Sequence, residues 1–137
     1  MAAMKATLLV IAVVALVGCG EPKGASALRG LSKMKRKALE IKCRSNLEHI
    51  AMSTIDWAEE NNKDITDKVS WDDILRDFDG SIPVCKAGGK YTLTTVQEAP
   101  TCSVEGRSLD KDTREWLYSK DKLKGIRDNH LRSQEKK

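Results

Sequence analysis

Apolar positions along the chain change their rhythm several times, and each change predicts a different element. A continuous run occupies residues 6–17, and Gly18, Gly20, Pro22 and Gly24 follow it directly, residues that interrupt a continuing helix. Further on, Leu39, Cys43, Leu47, Ile50, Ala51, Thr54 and Ala58 recur at spacings of three and four. That period places them on one face of a helix, predicted over 26–62. Trp71, Ile74, Leu75 and Phe78 form a second stripe at i, i+3, i+4 and i+7. Ser70 is placed to cap its first turn, Asp72 and Asp73 favour its positive end, and Asp79-Gly80 ends it. Residues 82–85 then run extended into Gly88-Gly89. The β-favouring residues Tyr91, Thr92, Thr94, Thr95 and Val96 predict a strand over 90–96. After residues 97–100 a second strand over 101–104 completes a hairpin with a four-residue loop.

Beyond residue 106 the pattern thins. Asp112 and Glu115 are spaced like a helix cap and its reciprocal partner, Trp116, Leu123 and Ile126 make a sparse stripe, and Gly125 weakens it. The expected fold class is therefore α+β: a long N-terminal helix whose Leu39, Leu47, Ile50 and Ala58 face packs on a small antiparallel β-hairpin. A basic, partly helical C-terminal tail follows, left in solvent or used to bind something acidic.

The first apolar run needs a separate account. It is preceded by Lys5 and is too short to span a bilayer comfortably, which takes roughly 20 residues. It ends in Leu16-Val17-Gly18-Cys19, which looks like the bacterial lipobox, where a small residue precedes a cysteine that is lipidated on sulfur and becomes the first residue after cleavage. The resemblance implies a lipoprotein signal peptide at 1–18, a covalent lipid on Cys19 and a lipidated linker at 19–27. An uncleaved apolar anchor with an incidental cysteine is the alternative. Gly20 after the cysteine, where Asp would argue for retention, fits the outer membrane if the organism has one. Otherwise the extracytoplasmic face of the plasma membrane is expected.

Composition narrows the rest. Of 137 residues, those left after the signal peptide suffice for one small domain. Three Trp, two Tyr and one Phe in the whole chain require a core that is largely aliphatic. The net charge of +4 conceals segregation: residues 21–44 hold eight Lys or Arg against two acids, residues 45–110 six against thirteen, and residues 111–137 nine against five. Lys33, Lys35, Arg36, Lys37, Lys42 and Arg44 crowd the early turns of the long helix, close in sequence to the expected lipid. They suit anionic headgroups, at about 1 kcal/mol per basic residue near the surface, or a solvated helix face. No module for base readout accompanies the charge, so specific nucleic-acid recognition is not expected.

Two stretches resemble a known family. Cys43-Arg44-Ser45-Asn46-Leu47, Ile50, Trp57-Ala58 and Asn61-Asn62 look like the helix of type II secretion pseudopilins and related type IV pilin-like proteins. Cys85-Lys86-Ala87-Gly88-Gly89-Lys90-Tyr91, followed by Pro100-Thr101-Cys102-Ser103, resembles the cysteine-proline-x-glycine-glycine-x-tyrosine hairpin and closing proline-x-cysteine of many pilin-like heads, and Trp71 sits where such heads often place a tryptophan. The likeness covers about residues 38–106, within a pilin-like helix and β head at 28–106; the basic tail at 107–137 lies outside it. It departs from the family at the start: Ala6-Thr7-Leu8-Leu9-Val10 lacks both the glycine cleavage site and the glutamate, and the helix is broken at Gly18 to Gly24, whereas a buried glutamate and a continuous apolar helix are what let family members stack into filaments. Lys86 replaces the usual proline, and Arg107 stands where a histidine often closes the motif. The resemblance implies a head that is kept and a lipid anchor in place of the polymerising stem.

With Cys19 lipidated, three cysteines remain. Cys85 and Cys102 bracket the hairpin, and a disulfide between them is expected, worth roughly 3 kcal/mol in the chain-entropy model. Export favours such a staple. Cys43, on the apolar helix face, reads as a small buried hydrophobe, and no metal site is expected because no CxxC pair or cysteine-histidine cluster is present in the sequence. His49 and His130 are isolated, and no nucleophile, base and orienting group assemble, so an enzyme is not expected. Asp72, Asp73, Asp77 and Asp79 raise calcium binding, which some pseudopilins show. Aligning Gly80 with the invariant EF-hand glycine puts Leu75 and Lys86 at ligand positions, which excludes that loop and leaves a looser site or simple helix capping. The functional expectation is a non-enzymatic, lipid-anchored envelope protein, a structural or interaction module accessory to a type II secretion or pilus system. Its alternative is a minor pseudopilin held in the inner membrane by an unusual apolar stem.

Overall fold

In the computed structural model, residues 23–104 and 107–136 are described, with side chains from Ser32 onward. The apolar run at 6–17, the lipobox and Cys19 lie outside them. Helix α1 spans Lys23–Glu60, close to the predicted range. Past Gly30 its sequence contains neither proline nor glycine, so nothing in it opposes helix propagation. Asn62 stops it by adopting a left-handed φ of 51°, while the Lys63 N–H bonds the Ala58 carbonyl at 2.9 Å and Asn61 Nδ2 bonds the Trp57 carbonyl at 2.8 Å.

The two halves of α1 live in different surroundings. From Ser32 to Lys42 every side chain is exposed except that of Leu39, which is half-buried. From Cys43 on, Leu47, Ile50, Ala51, Ile55, Trp57 and Ala58 are buried, so the predicted face holds and widens into most of the circumference. Ser53 and Thr54 are buried with them, and Thr54 satisfies its hydroxyl by donating to the Ile50 carbonyl one turn back, at 3.0 Å. Trp57 is covered on one side by Lys63, whose Nζ lies 5.3 Å from the ring centroid.

The second helical stripe is shorter than its periodicity implies. Helix α2 covers only Trp71–Ile74, and the chain tightens into a 3₁₀ turn over Leu75–Phe78. The Asp73 carboxylate closes the entry by accepting from both the Ser70 N–H (2.9 Å) and its hydroxyl (2.6 Å). Asp79, at φ 52°, and Gly80, at φ 74°, end the segment as expected. Ile74 is buried, and Phe78 lies between Trp71 and His49, with ring centroids 6.4 Å and 4.5 Å away.

The hairpin departs most from expectation. Strands β1 (Tyr91–Thr92) and β2 (Thr101–Cys102) are antiparallel, with Tyr91 opposite Cys102 and Thr92 opposite Thr101. Residues 93–100 therefore lie between them, in place of the four-residue loop read from the sequence. The second half of the predicted strand finds another partner. Val69 N–H bonds the Thr94 carbonyl, Val96 N–H the Asp67 carbonyl and Gln97 N–H the Ile65 carbonyl, at 3.0–3.2 Å. Burial explains the split, since Tyr91 and Val96 both reach the core, and the chain must bend between them to serve two neighbours.

The tail is part of the head. Helix α3 spans Lys111–Leu117 and α4 spans Lys120–Gln134. The cap of α3 is Asp110, which accepts from the Thr113 N–H at 3.0 Å; Asp112, the expected cap, sits in the first turn. Ser119 caps α4 by accepting from the Lys122 N–H at 3.3 Å. The break between the helices resets their phase: Ile126 is buried and Leu123 packs on the core as the stripe implies, but Leu117 is buried in place of Trp116, which is 67% exposed. Leu109, Leu117 and Ile126 join the same core as Leu47, Ile50, Ile74 and Val96. The acidic partner suggested for the basic tail is, in part, the head itself: Lys122 pairs with Glu59 at 3.1 Å and Arg127 with Asp64 at 3.8 Å, while His130 Nδ1 lies 2.6 Å from the Asn62 carbonyl. Such exposed pairs contribute about 0–1 kcal/mol each; the buried side chains carry most of the docking.

Candidate functional site

Three elements converge where α1 meets the hairpin. Cys43 enters from the first buried turn of α1, Cys85 from the turn before β1, and Cys102 from β2. Their sulfurs all lie within 4.8 Å of one another. Cys43 and Cys85 are buried and Cys102 is half-buried. Among the described residues this is the one group of three or more His, Cys, Asp or Glu side chains placed to share a metal ion.

Cys85 and Cys102, expected to pair, are neighbours: their sulfurs are 3.8 Å apart and both thiols are free, a separation well beyond the roughly 2.05 Å of a disulfide. Cys43 is buried as expected, and its sulfur completes the group. Along the chain the three cysteines stand too far apart to signal a shared ligand. Here a helix and a hairpin bring them together across it.

The surroundings make the three thiols unequal. Burial pushes Cys85 up, but the backbone N–H groups of Ala87 and Gly89 and contacts with the Cys102 and Cys43 thiols outweigh it and bring it down to about 7. Burial pushes Cys43 up to about 11, against a lowering hydrogen bond from the Tyr91 hydroxyl. Tyr91 is itself raised, first by burial and then by its bond to Cys43, so it stays a neutral donor. Asn46 Nδ2 donates to the Tyr91 hydroxyl at 3.1 Å, which ties α1 to β1.

The glycines have separate jobs in this turn. Gly88 takes φ 83°, a left-handed conformation that lets its N–H reach the Cys85 carbonyl at 2.9 Å. Gly89 is needed for space: a Cβ there would lie 2.7 Å from both Cys102 Sγ and Val104 Cγ2. Gly89→Ala is therefore expected to destabilise the head by about 1–3 kcal/mol through overpacking, read as a lower urea midpoint at unchanged slope. An unchanged midpoint would mean that β2 is not packed against this turn.

The other candidates do not assemble. Asp73 is occupied by the Ser70 cap, Asp77 lies 3.4 Å from Arg76, and no group of three acids among the described residues gathers to hold calcium. His49 packs at a 45° tilt on Phe78 and, with Met52, Ser53, Asp56, Glu60 and Arg76, lines a groove of about 370 Å³. Arg76 contacts Glu60 across it. Among the described residues no helix is long and apolar enough to cross a membrane. No family, curated protein or solved structure matches the chain.

Proposed function

We propose that this chain is a non-enzymatic, lipid-anchored envelope protein with a pilin-like head, serving as a structural or interaction module beside a secretion or pilus machine. One observation carries most of the reading. The two stretches that resemble pilin-like proteins, one in α1 and one around the hairpin, meet through Asn46 and Tyr91 and through the three cysteines. The exposed cations at 33–42 then continue from the head toward the proposed lipid. The helix from Ser32 to Lys42 is about 16 Å long at 1.5 Å per residue, and Lys33, Lys35, Arg36, Lys37 and Lys42 are all exposed along it. Cations placed there favour an anionic surface.

The anchor is tested by metabolic labelling with a fatty-acid analogue. The wild-type chain is expected to incorporate label and to fractionate with membranes, and Cys19→Ala to lose both. Unchanged labelling of Cys19→Ala would remove the anchor from this account and favour the uncleaved-stem alternative.

A further inference from the structure

We infer that Cys43, Cys85 and Cys102 form a trithiolate site for a thiophilic d¹⁰ cation of the zinc type, completed by one external ligand. The first argument is distance. Zinc–sulfur bonds of about 2.3 Å in tetrahedral geometry set neighbouring sulfurs about 3.8 Å apart, and Cys85 and Cys102 stand at 3.8 Å. The remaining separations are bounded by 4.8 Å, and side-chain adjustments of about an ångström or less bring them to the same value. A disulfide would use two of these sulfurs and leave Cys43 to packing alone. A metal uses all three.

The second argument is the way the sulfurs are held. They come from a long helix, a glycine turn and a strand packed into one core, so the group is pre-organised before any ligand arrives. Asn46 Nδ2 of α1 donates to the Tyr91 hydroxyl of β1 at 3.1 Å, tying together the two elements that carry Cys43 and the hairpin. Outer hydrogen bonds of this kind fix ligand orientation. Soft sulfur donors select zinc or cuprous ions over magnesium or calcium. Among the described residues no fourth His, Cys, Asp or Glu joins the group. The half-buried side at Cys102 gives a water or small thiol access to the fourth position. Binding displaces any thiol protons to solvent and leaves every sulfur at its original oxidation level.

The site stands on head geometry alone and does not depend on the anchor, so either idea can fail without the other. The test uses the full chain, isolated anaerobically from membranes in detergent, stripped with a chelator and titrated with Co²⁺ as the spectroscopic probe. Thiolate-to-cobalt charge-transfer absorption is expected to saturate at one ion per chain and to vanish when Zn²⁺ is added. Cys43→Ala, Cys85→Ala and Cys102→Ala should each weaken Zn²⁺ binding by about 100-fold or more, and Tyr91→Phe by about 10-fold, as befits an outer partner. If Cys43→Ala does not fold, alkylation of the wild-type chain decides: protection of all three thiols by Zn²⁺ supports the site, and protection of two or fewer overturns it. It is equally overturned by a folded chain without charge-transfer absorption, by Cys43→Ala binding Co²⁺ as tightly as wild type, or by recovery of native protein with Cys85 bridged to Cys102.

Discussion

Ile126→Ala is expected to lower the stability of the head by about 2–4 kcal/mol, the range for truncating a buried large aliphatic side chain. Ile126 is 1% exposed and lies in one core with Leu47, Ile50, Val96, Leu109 and Leu117. Deleting its outer carbons loses their transfer free energy and leaves a cavity that α4 closes only in part, since the surrounding core side chains hold their places. In a domain of this size the loss corresponds to a fall in Tm of roughly 10–20 °C. Thermal unfolding followed by circular dichroism measures it. A shift close to zero would mean that residues 107–137 form a solvated tail, as the sparse stripe in the sequence suggested.

Ile50→Asp is expected to have a larger effect and to abolish cooperative folding. Ile50 is fully buried in the C-terminal half of α1, and the neighbouring Thr54 hydroxyl is already spent on the Ile50 carbonyl. An unpaired carboxylate there either remains ionised at a cost of several kcal/mol or takes up a proton at the expense of its pKa, and the isoleucine contacts are lost in both cases. Domains of this kind have only about 5–15 kcal/mol in total. Near-ultraviolet circular dichroism should collapse while some helical signal from the exposed part of α1 survives. Retention of a sharp thermal transition would place the core elsewhere.

How far the sequence could be read follows from the range of the forces involved. The α1 face was legible because Leu47, Ile50 and Ala58 repeat at the helical period over many turns, and local periodicity suffices to orient a helix. The entry to α2 was legible for the same reason, since Ser70 and Asp73 are three residues apart. Strand pairing was less so. Thr94 and Val96 have the β-favouring character of Tyr91 and Thr92, and nothing in their composition says that they bond to Val69 and Asp67 instead of β2. The tail was misread because one phase break, at Tyr118 and Ser119, turns Leu117 inward and Trp116 out. A stripe drawn straight through that break selects the wrong residue.

The cysteine group shows the same limit at the candidate site. Cys85 and Cys102 were linked in sequence by the hairpin between them. Cys43 belongs to the group only through the packing of α1 on that hairpin. Its helical spacing predicted burial, which is correct, but burial alone does not reveal what a side chain is buried against. One signal was available: an apolar helix face expected to pack on the hairpin necessarily carries its own cysteine toward the other two.

The central claim, that a folded head is carried on a lipid at Cys19, is tested most directly by intact-mass and peptide mass spectrometry of the amino terminus of the native protein. The account predicts a chain that begins at Cys19 and bears acyl groups, with residues 1–18 removed. A chain that retains its apolar segment at 6–17, intact or methylated at its start, would contradict it.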